Sequence, residues 1–150
     1  MTKIDIEAAP TRFGSAYPPP LDEPCKGIRR WKLGAAAGLT QFGVNLTRIP
    51  PGQWTSQRHW HTAEDEFVLV IEGEVVLVTD RGEELLRAGD CAGFVAGIAD
   101  GHHIQNRSDQ EAVLIEIGSR RPGEDTCYYP DNGVMVEPGP PVRPYGNGPR

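Results

Sequence analysis

The sequence predicts an all-β domain, a sandwich or barrel of short strands joined by tight turns. Two observations carry this. The 150 residues include 14 prolines and 18 glycines, a load that disfavours helices and marks many turns. Short alternating or apolar runs recur at regular spacing, while no stretch of ten or more residues combines helical spacing with caps. At 16.4 kDa the chain can bury one core and is too short to divide comfortably into two.

The elements follow in order. Ten of the 14 prolines lie in the first 24 or the last 13 residues, so a compact middle is expected between two extended arms. Residues 1–29, with "YPPPLDEP", read as the N-terminal arm, 30–137 as the barrel, and 138–150 as a Pro/Gly-rich tail. "LTQFGVNLTRI" (39–49) alternates, with Phe42, Val44 and Leu46 on one face and Gln41, Asn45 and Thr47 on the other, the period of a half-buried strand. "IPPG" then turns the chain. Residues 67–90 hold strands of about five residues separated by Gly73 and by Asp80-Arg81-Gly82, a hairpin signature. "CAGFVAG" and "EAVLIEIGS" supply two more strands, and closing them into a barrel protects their edges.

Charge and composition exclude several functions. A net charge of −6 and a pI near 5.2 leave no basic face for nucleic acid. No polybasic or amphipathic stretch suits a membrane surface, and the longest apolar run, "FVLVI", is too short to span one. The N-terminus lacks a basic start followed by an apolar stretch, so a cytoplasmic location is expected. Cys25, Cys91 and Cys127 are odd in number and widely spaced, the pattern of incidental thiols rather than of a disulfide framework or a zinc knuckle.

The four histidines fall in two places, His59 with His61 and His102 with His103. Histidines two apart on a strand point to the same side, so His59 and His61 can converge on one ion. Glu66 opens an apolar strand and can swing back onto it, whereas Glu64 and Asp65 sit in the bend. In "GHHIQN" the His103, Gln105, Arg107 face is the wetter one and suits the outside. His102 is therefore preferred over His103 as fourth ligand. Three imidazoles and a carboxylate suit Fe, Mn, Ni, Cu or Zn, and the donor set alone does not choose among them. Asn106 either orients a ligand or caps a strand, and Arg48 binds an anionic substrate only if it turns inward with Phe42. Trp54, Trp60, Phe94, Tyr128 and Tyr129 are expected to pack. Neither a nucleophile paired with an activating histidine nor a phosphate-cradling glycine loop is present.

These residues resemble the cupin superfamily. Its first motif is matched by Gly52, His59, His61, Glu66 and Gly73, with six residues rather than five between Gly52 and His59. Its second is matched by Gly89, Gly97, His102 and Asn106. Val95 stands in place of a proline, and two extra residues within "IADG" precede His102. The match covers residues 39–118. The chain looks like the small single-domain bacterial cupins of the sugar-phosphate-isomerase-like group. The resemblance implies a double-stranded β-helix, or jelly-roll, barrel with one divalent transition metal ion (Zn, Mn, Fe or Ni) at its centre, and the usual homodimer. The expected ligands are His59, His61, Glu66 and His102. The leading functional expectation is an enzyme acting on a polar small molecule, in the isomerase manner, with Glu66 as proton-transferring base or else Glu72. An Fe(II) dioxygenase and a non-enzymatic small-molecule sensor are the alternatives.

Overall fold

The computed structural model describes residues 3–137, and the expected tail at 138–150 lies outside them. The strands are β1 (Thr11–Phe13), β2 (Arg29–Lys32), β3 (Phe42–Ile49), β4 (Trp60–His61), β5 (Glu66–Glu72), β6 (Glu74–Thr79), β7 (Gly82–Arg87), β8 (Cys91–Phe94), β9 (His103–Gln105), β10 (Ala112–Ser119), β11 (Cys127–Tyr129) and β12 (Val134–Val136). A single helical turn, α1 (Leu33–Ala36), joins β2 to β3, consistent with the lack of helical periodicity in the sequence.

All pairings are antiparallel. One sheet has the order β1-β2-β3-β10-β5-β8. Two three-stranded sheets, β7-β6-β9 and β12-β11-β4, are stitched together by a bridge between His59 and His102. The chain thus forms the jelly-roll expected of it, closing most strand edges against partners. Ile28, Ile49, Val70, Val75, Leu77, Leu86, Ile104 and Leu114 fill the core. Ile28 and Cys25 contribute to it from the stretch before β2, and Trp54 N–H donates to the Pro24 carbonyl at 2.7 Å.

Two local features differ from the sequence reading. Gly73 does not close a hairpin between β5 and β6; it turns the chain from one sheet into the other, with φ of +77° and the Glu111 carbonyl 3.0 Å from where a Cβ would stand. Only β6 and β7 form the hairpin, through Asp80-Arg81. Strand β3 carries Phe42, Val44 and Leu46 on the outside. Asn45 is the Cα partner of Glu116, and Glu116 of Val68, and these three line the interior cavity. Thr47 and Ile49 are fully buried on the same side, whereas Phe42 is 39% exposed. Arg48 therefore points outward, where it meets Glu111 at 2.6 Å and lies over the Trp31 ring. The alternation located the strand; it could not tell which phase faced a polar interior.

Candidate metal centre

Each histidine is placed by backbone pairing. The amide of His59 donates to the carbonyl of His102 at 3.1 Å, and that of His102 donates back at 2.8 Å, so the two side chains leave adjacent backbones together. His61 ends β4 and Glu66 begins β5, on the wall facing them. The Nε2 atoms of His102, His59 and His61 lie 2.8, 3.5 and 3.7 Å from a Glu66 carboxylate oxygen. Donor atoms of His59, Glu66 and His102 all fall within 4.8 Å of one another. His61 stands slightly outside that trio and approaches the second carboxylate oxygen.

The other ring nitrogens fix the tautomers. His59 Nδ1 lies 2.9 Å from the Gln57 carbonyl and His102 Nδ1 lies 3.2 Å from the Asp100 carbonyl. A carbonyl only accepts, so each Nδ1 carries the proton. His61 Nδ1 lies 2.6 Å from Asp125, which also accepts the Ala63 amide at 2.9 Å. Burial would raise the Asp125 carboxyl, but the His61 and backbone hydrogen bonds hold it below the usual carboxylate range, so it too accepts. With every Nδ1 bearing its proton, all three Nε2 atoms face the Glu66 carboxylate, and any ring without a second proton turns a lone pair on it. That arrangement is repulsive unless a cation sits among them, either a proton or a metal ion.

The charge state of the cluster agrees. Burial pushes Glu66 up, yet the hydrogen bonds of His102 and His59 and the charge of the surrounding imidazoles hold it well below its ordinary value. Burial likewise lowers His59, but the Glu66 carboxylate outweighs it and the net shift is upward.

His103 is as buried as His102, at 5% and 6% exposure, contrary to the expected outward face. The loop ahead of β4 covers it. Its Nδ1 meets the Ser56 carbonyl at 3.0 Å, its Nε2 meets Gln105 Nε2 at 2.9 Å, and Trp54 packs edge-on against its ring. Both ring nitrogens are thus occupied, and His103 offers no free donor to an ion. Asn106 is fully buried and donates to the carbonyls of Ile49 and Gln110, both at 2.7 Å; it holds the turn after β9. Glu72 is exposed and is not among the cavity's lining residues.

A cavity of about 330 Å³ opens onto His59, Glu66 and His102. Phe94 stacks flat on His102 at 3.6 Å and Trp60 stacks on Tyr128 at 4.6 Å, both as packing groups. Tyr129 lines the cavity, its ring 5.8 Å from that of His59. Burial first, and the Tyr17 phenol beside it, push the Tyr129 hydroxyl far above its usual range, so it remains a proton-bearing donor. Farther along the wall Arg30 makes a two-pronged pair with Glu116 (2.8 and 3.3 Å) and donates to the Thr55 carbonyl at 2.6 Å. Sequence reasoning missed Asp125, Arg30 and Glu116. Asp125 lies 64 residues from its histidine, and nothing in "RPGEDTCYY" marks it.

The comparisons with known proteins bear on this geometry. The family model described as "Cupin domain" matches residues 45–118. A sugar phosphate isomerase of the cupin superfamily from Silicibacter pomeroyi is 41% identical over 94% of this chain and 96% of its own, with a TM-score of 0.84. A structure from Acidithiobacillus ferrooxidans, provisionally assigned as a sugar phosphate isomerase, is 30% identical over 73% of this chain and 74% of its own, with a TM-score of 0.67. A Thermus thermophilus structure at 24% identity covers 72% of this chain and 91% of its own, with a TM-score of 0.54, and shows the fold alone. No curated protein matches the sequence.

Proposed function

This chain belongs to the cupin family, and from that premise we propose that it is a metal-dependent enzyme acting on a polar small molecule, in the manner of a sugar phosphate isomerase. One observation carries the reading: three imidazole Nε2 atoms converge on one ionised carboxylate with every Nδ1 already spoken for. His59, His61, Glu66 and His102 would hold a divalent ion. When bound, such an ion supplies Lewis acidity toward a substrate carbonyl or carboxylate.

The chain's own groups divide the remaining work. Glu66 is kept ionised by its histidines and serves the ion; so depressed a carboxylate is a weak base, which argues against the proton-transfer role expected of it. Tyr129 keeps its proton and can donate a hydrogen bond to a substrate oxygen beside His59. Phe94, packed on His102, restricts water at that edge. The expected homodimer would use the outer face of the six-stranded sheet, where Phe42 and Phe67 each remain 39% exposed.

Elemental analysis of the purified protein beside a His59→Ala/His61→Ala variant tests the proposal. Near-stoichiometric metal in the parent, lost in the variant, supports it, and turnover of a phosphorylated aldose–ketose pair completes it. Iron together with dioxygen consumption would replace isomerisation by oxygenation. No metal in either protein, even after reconstitution, would overturn the enzyme reading.

A further inference from the structure

The cavity is positively lined in an acidic protein. Arg12, Arg30 and Arg120 face Glu66 and Glu116, three cations against two anions, whereas the whole chain carries −6. A divalent ion would raise that surplus further. Charge of one sign gathered in a low-dielectric hollow attracts the opposite sign from solution.

The three arginines are not equivalent. Arg30 is largely committed, since Glu116 and the Thr55 carbonyl take its Nε and Nη2 donors. Arg12 is the Cα partner of Arg30 across β1 and β2, so two cations stand directly opposite one another. Like charges in that position are destabilising. Arg12 nevertheless makes no ion pair among the described residues.

Arg120 is only loosely held. Its Nη1 lies 3.5 Å from Glu64 Oε2 and 3.2 Å from the Ser119 carbonyl, while the other Glu64 oxygen is taken by the Arg121 amide at 2.8 Å. Its Nε and Nη2 have no acceptor among the described residues. Beside it Gly118 leaves a gap: a Cβ there would stand 3.5 Å from Arg120 Nη1 and 3.9 Å from Glu66 Cγ. A side chain there would stand in ordinary contact with both, between the guanidinium and the carboxylate cluster. A separate observation points the same way. The Ser15 hydroxyl, on the same cavity, is buried without a hydrogen-bond partner, and such a group costs stability unless something else satisfies it.

We propose that the cavity recognises its small molecule through an oxyanion, a carboxylate or a phosphate, held by the guanidinium of Arg12 and the uncommitted Nε and Nη2 donors of Arg120, with the Ser15 hydroxyl as a neutral donor. The proposal rests on the reading of this cavity as the substrate site and adds which residues select the substrate and by what charge. A guanidinium matches either oxyanion through paired N–H donors, which a lysine does not. The anionic end is the part of the molecule that does not react, and binding it orients the remainder toward Glu66 and the histidines.

The test is calorimetric binding of inorganic phosphate and, separately, of malonate to the full-length protein as purified, at constant ionic strength, with metal content measured on the same samples. At least one probe is expected to bind, and Arg120→Gln and Arg12→Gln each to weaken it about tenfold or more without loss of metal. Gly118→Ala, which fills the gap without forcing a strained φ, is expected to weaken it too, while Arg120→Lys keeps part of the affinity. Arg48→Gln, on the outer face, leaves it unchanged. Phosphate binding alone assigns a phosphate ester, and malonate binding alone a carboxylic acid. Failure of both probes to bind, or parental affinity in the folded Arg12→Gln and Arg120→Gln proteins, overturns the proposal. The metal reading fails separately: a His59→Ala/His61→Ala protein that keeps its metal sinks that reading and leaves an arginine-dependent anion site standing.

Discussion

If the His59–His61–Glu66–His102 cluster holds an ion as proposed, removing it should reverse the way stability depends on pH. Without an ion the cluster is held by protons. The folded pKa of His59 lies above its ordinary 6.5, so the His59–Glu66 interaction stabilises the fold fully below that pH and is lost as pH rises through the raised value. Glu66 works in the opposite sense. Its folded pKa lies below the ordinary 4.5, so its contribution is present above that pH and fades as the pH falls through the depressed value. The metal-free protein should therefore gain stability from pH 8 to pH 6 as far as this pair decides it. An ion needs the same imidazoles neutral, so its stabilising increment must shrink over that interval as protons compete.

The increment has a calculable size. An ion held at a hundred times its dissociation constant adds about 2.7 kcal/mol to the native state. For a chain of this length that is worth roughly 5–11 °C in melting temperature. The assay is thermal melting by circular dichroism, chelator-treated against reloaded protein, at pH 8, 7 and 6, using the ion found in the purified material. The expected gap is widest at pH 8 and narrows toward pH 6 from both sides. A gap independent of pH, or one that survives in His59→Ala/His61→Ala, would refute the assignment of these imidazoles as ligands.

Asp125→Asn should lower metal affinity about 10- to 100-fold while leaving the ion bound at saturation, because the amide still contacts His61 but no longer fixes its tautomer by charge; competition with a coloured chelator reads this directly. Glu116→Gln should cost about 2–3 kcal/mol in urea denaturation, since the Arg30 charge on the cavity wall, with side chains of 17% and 18% exposure, loses its counterion. Glu83→Gln, which breaks the solvent-exposed Arg107 pair, should leave the urea midpoint almost unchanged; equal losses for the two would dismiss the burial argument. Among the thiols, exposed Cys91 should react with Ellman's reagent within minutes in the native protein. Cys25 and Cys127, buried with pKa values pushed up to about 11 first by desolvation, should react only on unfolding.

The sequence made some features plain and hid others for identifiable reasons. The barrel was legible because turn residues and short apolar runs are local signals: Gly52, Gly73 and Gly82 all adopt positive φ at the corners their spacing suggested. The convergence of His59, His61 and Glu66 was legible because strand alternation fixes the side on which the histidines emerge. The phase of β3 was not. Its inward residues Asn45 and Thr47 are polar because they face Glu116 and the cavity rather than lipid-like core, and a rule that places apolar residues inside inverts a wall built around a polar site. His103 misled for the same reason: its burial depends on Trp54 and Ser56, from a loop 47 or more residues earlier.

What the folded chain adds is a reason for the cluster to want a cation rather than merely to permit one. A pair of histidines and a glutamate in solution can satisfy each other by turning a ring. Here no ring is free to turn. Gln57 and Asp100 offer backbone carbonyls, fixed by the β-bridge between His59 and His102, and Asp125 is fixed by the Ala63 amide. Flipping any imidazole would exchange one of these acceptors for an unmet one, at about 1–3 kcal/mol per buried group. The three Nε2 atoms are therefore committed to the Glu66 side before any ligand arrives, and the outer carboxylate and carbonyls do as much to define the centre as the four residues named by the motif.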